Sequence, residues 1–330
     1  MSQPYVSLVA VGQSVDYGGN FVGRMQNFLD VLFELGARRG ADLELVLVEW
    51  NPPAGKPSLA SALRWPEPLP FPVRFVEVPP EVHDRLPNAD AMPIFEFIAK
   101  NVGIRRARGE FVLATNPDNV FAPAIIDVFA RRELASDAFY RVDRFDVRAP
   151  LPEGTVRKRL AFCRKHIWRV NELGRSVVFD RPPGWWASRP PQLQRALLAR
   201  SEKRATDDAP ESRIHTNASG DFLLMHGERW RELRGYPELP TAGHIDGYAC
   251  VMAAAAGLKQ RILDGWCRIY HQEHARAIDW SNLEASTWPL TDYETFRRDA
   301  REMLTSGRPK IFNGPNWGLA DVELVERTPA

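Results

Sequence analysis

Hydrophobic residues in the first third of the chain follow two alternating rhythms. Continuous apolar runs at 6–11, 43–49, 73–78 and 111–114 have strand length. Between them, 21–35 and 94–104 repeat apolar side chains at helical spacing, with Ile94, Phe97, Ile98 and Val102 on one stripe. The resulting β-α-β order predicts a parallel sheet covered by helices. A helix near 123–132 and a strand at 139–147 complete a first half of roughly 150 residues, a usual domain size.

The second half opens on a basic stretch, 156–170, that predicts a helix. A Pro/Trp-rich segment (181–191) and a polar run (201–212) follow, with no periodicity. Regular pattern returns at 221–225, at a helix from about Asp246 to Ala256, at strands around 261–263 and 268–271, and at a last helix over 292–304. The expected class is α/β: a mostly parallel central sheet flanked by helices, in a single domain of two abutting subdomains, 1–150 and 151–330.

Composition narrows the function classes. Forty-three basic against 42 acidic side chains leave a formal charge of +1, so no overall field attracts nucleic acid. Cys163, Cys250 and Cys267 are widely spaced and form no CxxC pair, which argues against a disulfide framework or a zinc ribbon and for a reducing cytoplasm. No apolar run approaches the ~20 residues of a membrane-spanning helix, so a soluble protein is expected, with peripheral membrane contact still open. The glycines after the first strand, Gly12, Gly18, Gly19 and Gly23, spell neither a dinucleotide fingerprint nor a P-loop, and no nucleophile elbow or HExxH helix occurs.

Three blocks carry candidate chemistry. In the first, the helix around Asn101-Val102-Gly103 leads into the buried strand at 111–114, and this ends on Thr115-Asn116-Pro117-Asp118. Ligands bind at the carboxyl ends of strands in open α/β sheets. A carboxylate there suits Mg²⁺ or Mn²⁺, although Asn-Pro-Asp-Asn also has plain turn chemistry. The second block runs from His215 and Asn217 through Gly220-Asp221-Phe222, Trp230 and Arg234-Gly235-Tyr236 to His244-Ile245-Asp246. Asp246 precedes an apolar-periodic run, so it is either a helix cap or a cleft carboxylate. In the third, Arg268-Ile269-Tyr270-His271-Gln272-Glu273-His274, alternation brings His271 out at a strand end; His271 and His274 match no zinc motif.

In this order the blocks resemble glycosyltransferases of the GT-A fold, in particular family 2-like enzymes and the galactosyltransferases of family 7. The match runs from Val6 to about His271. Asn101-Val102-Gly103 through Asp118 resembles the helix and strand that lead to a DxD-like motif. Gly220-Asp221-Phe222, Trp230 and Arg234-Gly235-Tyr236 resemble the next block, Asp246 the acidic motif that opens a helix, and His271 the distal histidine. Two positions depart from the pattern: Asn116 stands where many relatives have the first Asp, and His244-Ile245-Asp246 replaces Glu-Asp.

The resemblance implies a GT-A-like fold, with a donor subdomain at 1–150 and an acceptor-binding, catalytic subdomain at 151–330. It implies a hexosyltransferase that uses a UDP- or GDP-linked sugar and a glycan or glycolipid acceptor, as in polysaccharide biosynthesis. Mn²⁺ or Mg²⁺ would sit on Asp118 and His271. Glu49, Asn101, Arg105, Asn116 and Arg24 would join Asp118 around the donor. Asp246 would be the general base of an inverting displacement, with Asp221 and His244 beside it. Asp143 and Arg144 would border the cleft, His215 and Asn217 would touch substrate, and Trp185, Trp186 and Trp317 would be either a stacking platform or packing anchors. The alternatives are a sugar-phosphate nucleotidyltransferase and a non-catalytic sugar-binding module.

Overall fold

The computed structural model describes residues 3–148, 150–180, 186, 189–201, 210–275 and 286–329. The four apolar runs are β1 (Val6–Gly12), β2 (Leu43–Trp50), β3 (Val73–Val78) and β4 (Phe111–Thr115), and every residue of β1, β2 and β4 is buried. Two-residue alternation divides them between two cores. Val6, Leu8, Ala10, Leu43, Leu45 and Leu47 face one, and Val9, Val11, Val46, Val48 and Trp50 face the other.

Helix α1 (Phe21–Arg39) closes the first core with Met25, Phe28, Leu29 and Leu32, and stops at Gly40, whose φ of 58° permits a left-handed cap. Two single-turn helices follow, α2 (Leu59–Ala62) and α3 (Pro80–His83). Helix α4 (Glu96–Arg106) closes the second core with Ile98, Ala99 and Val102, joined there by the helices Ile245–Ala255 and Tyr293–Ser306. Helices therefore cover both faces of the sheet. Among the described residues no helix is long and apolar enough to cross a membrane.

The remaining strands are β5 (Asn119–Phe121), β6 (Ala138–Val147), β7 (Ile167–Glu172), β8 (Arg175–Val178), β9 (Phe222–His226), β10 (Lys259–Gln272) and β11 (Val325–Arg327). They complete one sheet of order β11-β3-β2-β1-β4-β9-β6-β10-β5, with the β7-β8 hairpin branching from β6. Six of the nine strands on this path, β1, β2, β3, β4, β6 and β10, run in one direction, and β5, β9 and β11 oppose them. The sheet passes through residue 150 without a break, because β9 inserts between β4 and β6, and β10 lies between β6 and β5.

Two expected elements are corrected. The helix expected over 156–170 ends as α5 (Val156–Lys165), and Ile167–Glu172 is instead β7 on the edge of β6, where Arg169 and Asn171 pair with Asp146 and Arg144. Alternation in Ile167-Trp168-Arg169-Val170 won over the basic helical reading of its flank. The two short strands expected at 261–263 and 268–271 are one strand, β10, with a register shift between Leu263 and Arg268.

Gly103 lets α4 lie close to the sheet. A Cβ there would overlap Val9 Cγ1 and come within 3.1 Å of Val48 Cγ2. Gly103→Val is expected to lower stability by roughly 2 kcal/mol in chemical denaturation, because overpacking at about 1–3 kcal/mol exceeds the ~0.5 kcal/mol gained by removing a helical glycine. An unchanged midpoint would show that the helix can back away.

Candidate functional site

β4, β6 and β10 end at the same edge of the sheet. Just past β4, the turn Asn116-Pro117-Asp118 leads into β5, and Asn119 pairs in register with His271 of β10, which pairs with Asp146 of β6, which pairs with Arg169 of β7. Four polar residues thus form one row across four strands. Arg144, two positions before Asp146, lies on the same face and is paired with Asp146 at 2.9 Å.

Asp118 sits at the end of this row. Its Oδ2 lies 3.7 Å from His271 Nε2 and 3.1 Å from His274 Nε2, and all three side chains are at least nine-tenths buried. Asp118 Oδ1 is buried with no hydrogen-bond partner among the described residues. Burial would raise the Asp118 carboxyl, but the two histidines hold it below the ordinary carboxylate range. Among the described residues these three are the one group whose His, Cys, Asp or Glu atoms converge closely enough to share an ion, within 4.8 Å of one another.

The tautomers sharpen this picture. His274 Nδ1 lies 2.7 Å from the Ala275 carbonyl, which can only accept, so the ring donates there and turns Nε2 toward Asp118. His271 Nδ1 lies 3.3 Å from Asp146 Oδ1, which likewise leaves Nε2 facing Asp118. One carboxylate oxygen thus faces two imidazole nitrogens, a donor set that transition-metal divalent ions accept. A carboxylate behind a ligating histidine, the place Asp146 has behind His271, is the usual support of such a ligand.

A loop closes over His274. After β1, Arg24 donates to the Tyr17 carbonyl at 2.6 Å and also to that of Gly19, Ala275 N–H donates to Gly18 O at 3.3 Å, and the Tyr17 ring meets His274 edge-on at 5.3 Å. Gly18 has φ 65°, and a Cβ would strike His274 Nδ1 and Ala275 O at 2.5 Å, so both conformation and space require glycine there. Arg24 is a buried cation near Asp118, turned into the loop that it holds.

Next to Asp118, a buried charge network links the second block. Arg144 Nη1 donates to Asp221 Oδ2 at 2.5 Å, while Asn116 and Asn119 donate to Asp221 Oδ1 at 3.1 and 3.0 Å. Burial would raise the Asp146 and Asp221 carboxyls, yet Arg144 holds both well below their ordinary value. Lys100, completely buried on α4, donates to Glu96 at 2.5 Å, Asn116 Oδ1 at 2.6 Å and the Gly220 carbonyl at 2.7 Å. Gly220 N–H in turn donates to Asp246 Oδ2 at 2.7 Å, and Asp246 Oδ1 accepts from Gly247 N–H at 2.9 Å. Asp246 is half-buried in the first turn of the helix Ile245–Ala255, so cap and cleft roles coincide.

The structure thus brings Asp118, His271, Asn116, Asp221, Arg144 and Asp246 into one connected group. Glu49 occupies the same sheet edge: it is the penultimate residue of β2, opposite Gly12, accepts from Leu59 N–H at 2.8 Å, and is pushed up by burial. His244 has φ 57° and stacks on Phe296 at 5.2 Å, and burial lowers its basicity.

Other expectations are redirected. Asn101 is fully buried and spends its amide on Tyr236 N–H and carbonyl, both at 2.8 Å, and on Glu238, so its side chain latches α4 to the 235–238 turn. Arg105 lies in the last turn of α4, toward the opposite end of the sheet, donating to the Pro315 and Trp317 carbonyls with its guanidinium 5.0 Å from the Trp317 ring. Trp317 and Trp186 are buried packing anchors; Trp186 donates to Gln194 O and packs on Phe145 and Phe179. Trp185 lies outside the described residues. Asn217 holds the β7-β8 hairpin through the Glu172 and Arg175 carbonyls. His215 is fully buried, 3.4 Å from Asp143.

Sequence reasoning missed Asp146, Lys100 and the part His274 plays. The alternation Arg144-Phe145-Asp146 was the available signal for Asp146, and the spacing from His271 the one for His274; Lys100 gave none beyond its place in a helical pattern.

No protein-family model matches the chain, and no curated protein matches it. Among solved structures, it is similar to a mannosyltransferase from Pyrobaculum calidifontis in complex with GDP-Man and Mn²⁺, at 15% identity and TM-score 0.48 over 97% of this chain and 73% of that one. It is also similar to residues 1–349 of S. aureus TarS in complex with UDP-GlcNAc, at 12% identity and TM-score 0.47 over 96% and 71%, and to another structure of the same TarS piece at 13% and 0.43 over 81% and 60%. At these scores the likenesses carry no weight for chemistry.

Proposed function

We propose that this protein is a GT-A-like hexosyltransferase that moves a sugar from a UDP- or GDP-linked donor to a hydroxyl of a glycan or glycolipid, with Mn²⁺ or Mg²⁺ held by Asp118, His271 and His274. One observation carries the reading. At the sheet edge where α/β proteins bind ligands, a buried carboxylate has one oxygen against two imidazole nitrogens and its other oxygen without a hydrogen-bond partner among the described residues. A bound divalent ion would supply Lewis-acid neutralisation of the charge that grows on a leaving diphosphate.

The remaining roles belong to the chain itself. Asp146 holds the His271 ring, and Arg144 keeps Asp146 and Asp221 ionised beside it. Glu49, at the end of β2, lines the donor side of the edge. Asp246, fixed by two backbone N–H groups, takes the proton of the acceptor hydroxyl as its oxygen attacks the anomeric carbon and the bond to the diphosphate breaks, which inverts that centre.

Incubation with a panel of UDP- and GDP-sugars and Mn²⁺ is expected to release UDP or GDP slowly, with release stopped by EDTA and restored by Mn²⁺. Release of pyrophosphate would point to nucleotidyl transfer instead, and no turnover and no binding of any donor would end the enzyme reading. Asp246→Asn is expected to lower kcat by about 10²–10⁴ with Mn²⁺ affinity unchanged, the usual size of a general-base contribution. Near-normal turnover would remove Asp246 from the mechanism.

A further inference from the structure

The residue two positions before Asp118 is an amide, Asn116, and its two ends are both engaged in buried ionic contacts. Lys100 Nζ can only donate, and it lies 2.6 Å from Asn116 Oδ1. The ionised Asp221 carboxylate can only accept, and its Oδ1 lies 3.1 Å from Asn116 Nδ2. The orientation of the amide is therefore fixed by chemistry on both sides. A carboxylate at 116 would satisfy Lys100 but would set oxygen against oxygen at Asp221, in a site where Asp146 and Asp118 already bring two further acids.

Lys100 needs its third partner. It is fully buried, and its other contacts are Glu96, whose side chain is 40% exposed, and the Gly220 carbonyl. Through those contacts the bridge reaches the two segments that carry the chemistry, because Gly220 holds Asp246 and the Asn116-Pro117-Asp118 turn presents the ion-facing carboxylate.

We infer that Asn116 is a positioning residue: its amide links the buried Lys100 ammonium to the buried Asp221 carboxylate, and so sets the turn that aims Asp118 at a divalent cation. The amide is a required part, not a weakened acid. The inference rests on the cation site proposed above, and it reverses what the DxD resemblance implies, namely that an acid at 116 would add a ligand and tighten binding.

The test compares wild type, Asn116→Ala, Asn116→Asp and the exchange variant Asn116→Asp/Asp221→Asn, by Mn²⁺ titration read through the EPR signal of the free ion and by melting of the metal-free proteins. Asn116→Asp is expected to weaken Mn²⁺ binding by about 10–100-fold, the usual effect of removing a group that orients a ligand, and to melt below Asn116→Ala. In the exchange variant one amide again lies between the acid and its neighbours, and Asn119, whose buried Oδ1 has no partner among the described residues, can turn to accept from the amide introduced at position 221. That variant is expected to melt above Asn116→Asp. Mn²⁺ binding by Asn116→Asp as tight as wild type or tighter would overturn the inference, and so would an exchange variant no more stable than the single change. If wild type binds no Mn²⁺, the cation reading fails, and the melting order of the metal-free variants still decides whether the amide bridges Lys100 and Asp221.

Discussion

Replacing Asp118 with alanine is expected to reduce donor turnover by about 10³-fold or more, since a divalent ion supplies several kcal/mol of transition-state charge stabilisation and each 1.36 kcal/mol is a factor of ten. The loss should come from the side chain alone. The Asp118 backbone carbonyl accepts from Gln272 N–H at 3.2 Å and from its side chain at 3.1 Å, contacts that alanine keeps. The carboxylate faces the two imidazoles, and the melting temperature of metal-free Asp118→Ala is the reference against which the effect of the ion is read.

The difference should appear on adding the ion. Binding only to the folded state stabilises by RT ln(1 + [L]/Kd), about 2.7 kcal/mol at a hundredfold excess over Kd, so Mn²⁺ should raise the melting temperature of wild type and leave Asp118→Ala unmoved. Full turnover by Asp118→Ala, insensitive to EDTA, would refute the cation site. Loss of turnover together with an unaltered Mn²⁺ shift would place the ion elsewhere.

How much of this was visible in the sequence depends on how local each feature is. β3 lies where its apolar run predicts it, and β1, β2 and β4 within a residue, because strands buried on both faces write their burial into consecutive residues. β7 was misread as the end of a basic helix, since its partners are Asp146 and Arg144 on another strand, and those pairings leave no trace within residues 156–170. The site shows the same divide. Asp118 and His271 were legible as neighbours because one lies three positions past an apolar strand and the other next to the end of one. His274 acquires its part from the Gly18 loop folded over it, and Lys100 from Gly220, 120 positions away. Asn101 and Arg105 belong to a motif-bearing helix, and helical spacing points the Asn101 side chain at the 235–238 turn and the Arg105 guanidinium at the Pro315 and Trp317 carbonyls, partners that the helix's own sequence does not reveal.

The largest effect on stability is expected at Arg144. Its guanidinium lies between Asp221 at 2.5 Å and Asp146 at 2.9 Å, with the three side chains 11%, 6% and 1% exposed. Arg144→Met keeps most of the volume and removes the charge. Among the described residues Asp221 then keeps the amides of Asn116 and Asn119, and Asp146 keeps Arg169, Asn171 and the His271 ring. Breaking a buried ion pair by deleting one partner costs about 3–5 kcal/mol because the other is left uncompensated, and that is the loss expected here in urea unfolding at pH 7.

Acid separates this explanation from simple loss of packing. In wild type, Asp146 and Asp221 have folded pKa values depressed below the unfolded value of about 4, so they contribute stability that is present above about pH 4 and is lost as the pH falls toward their folded values. Without Arg144 the two carboxyls lose the cation that holds both down, so their ionisation contributes less stability. The gap between wild type and Arg144→Met should therefore narrow as the pH falls below about 4, and Arg144→Met/Asp221→Asn should recover part of it at neutral pH. A gap that stays constant with pH, with no gain from Asp221→Asn, would mean that Arg144 contributes by filling space and that the paired charges around the Asp118 site stabilise nothing.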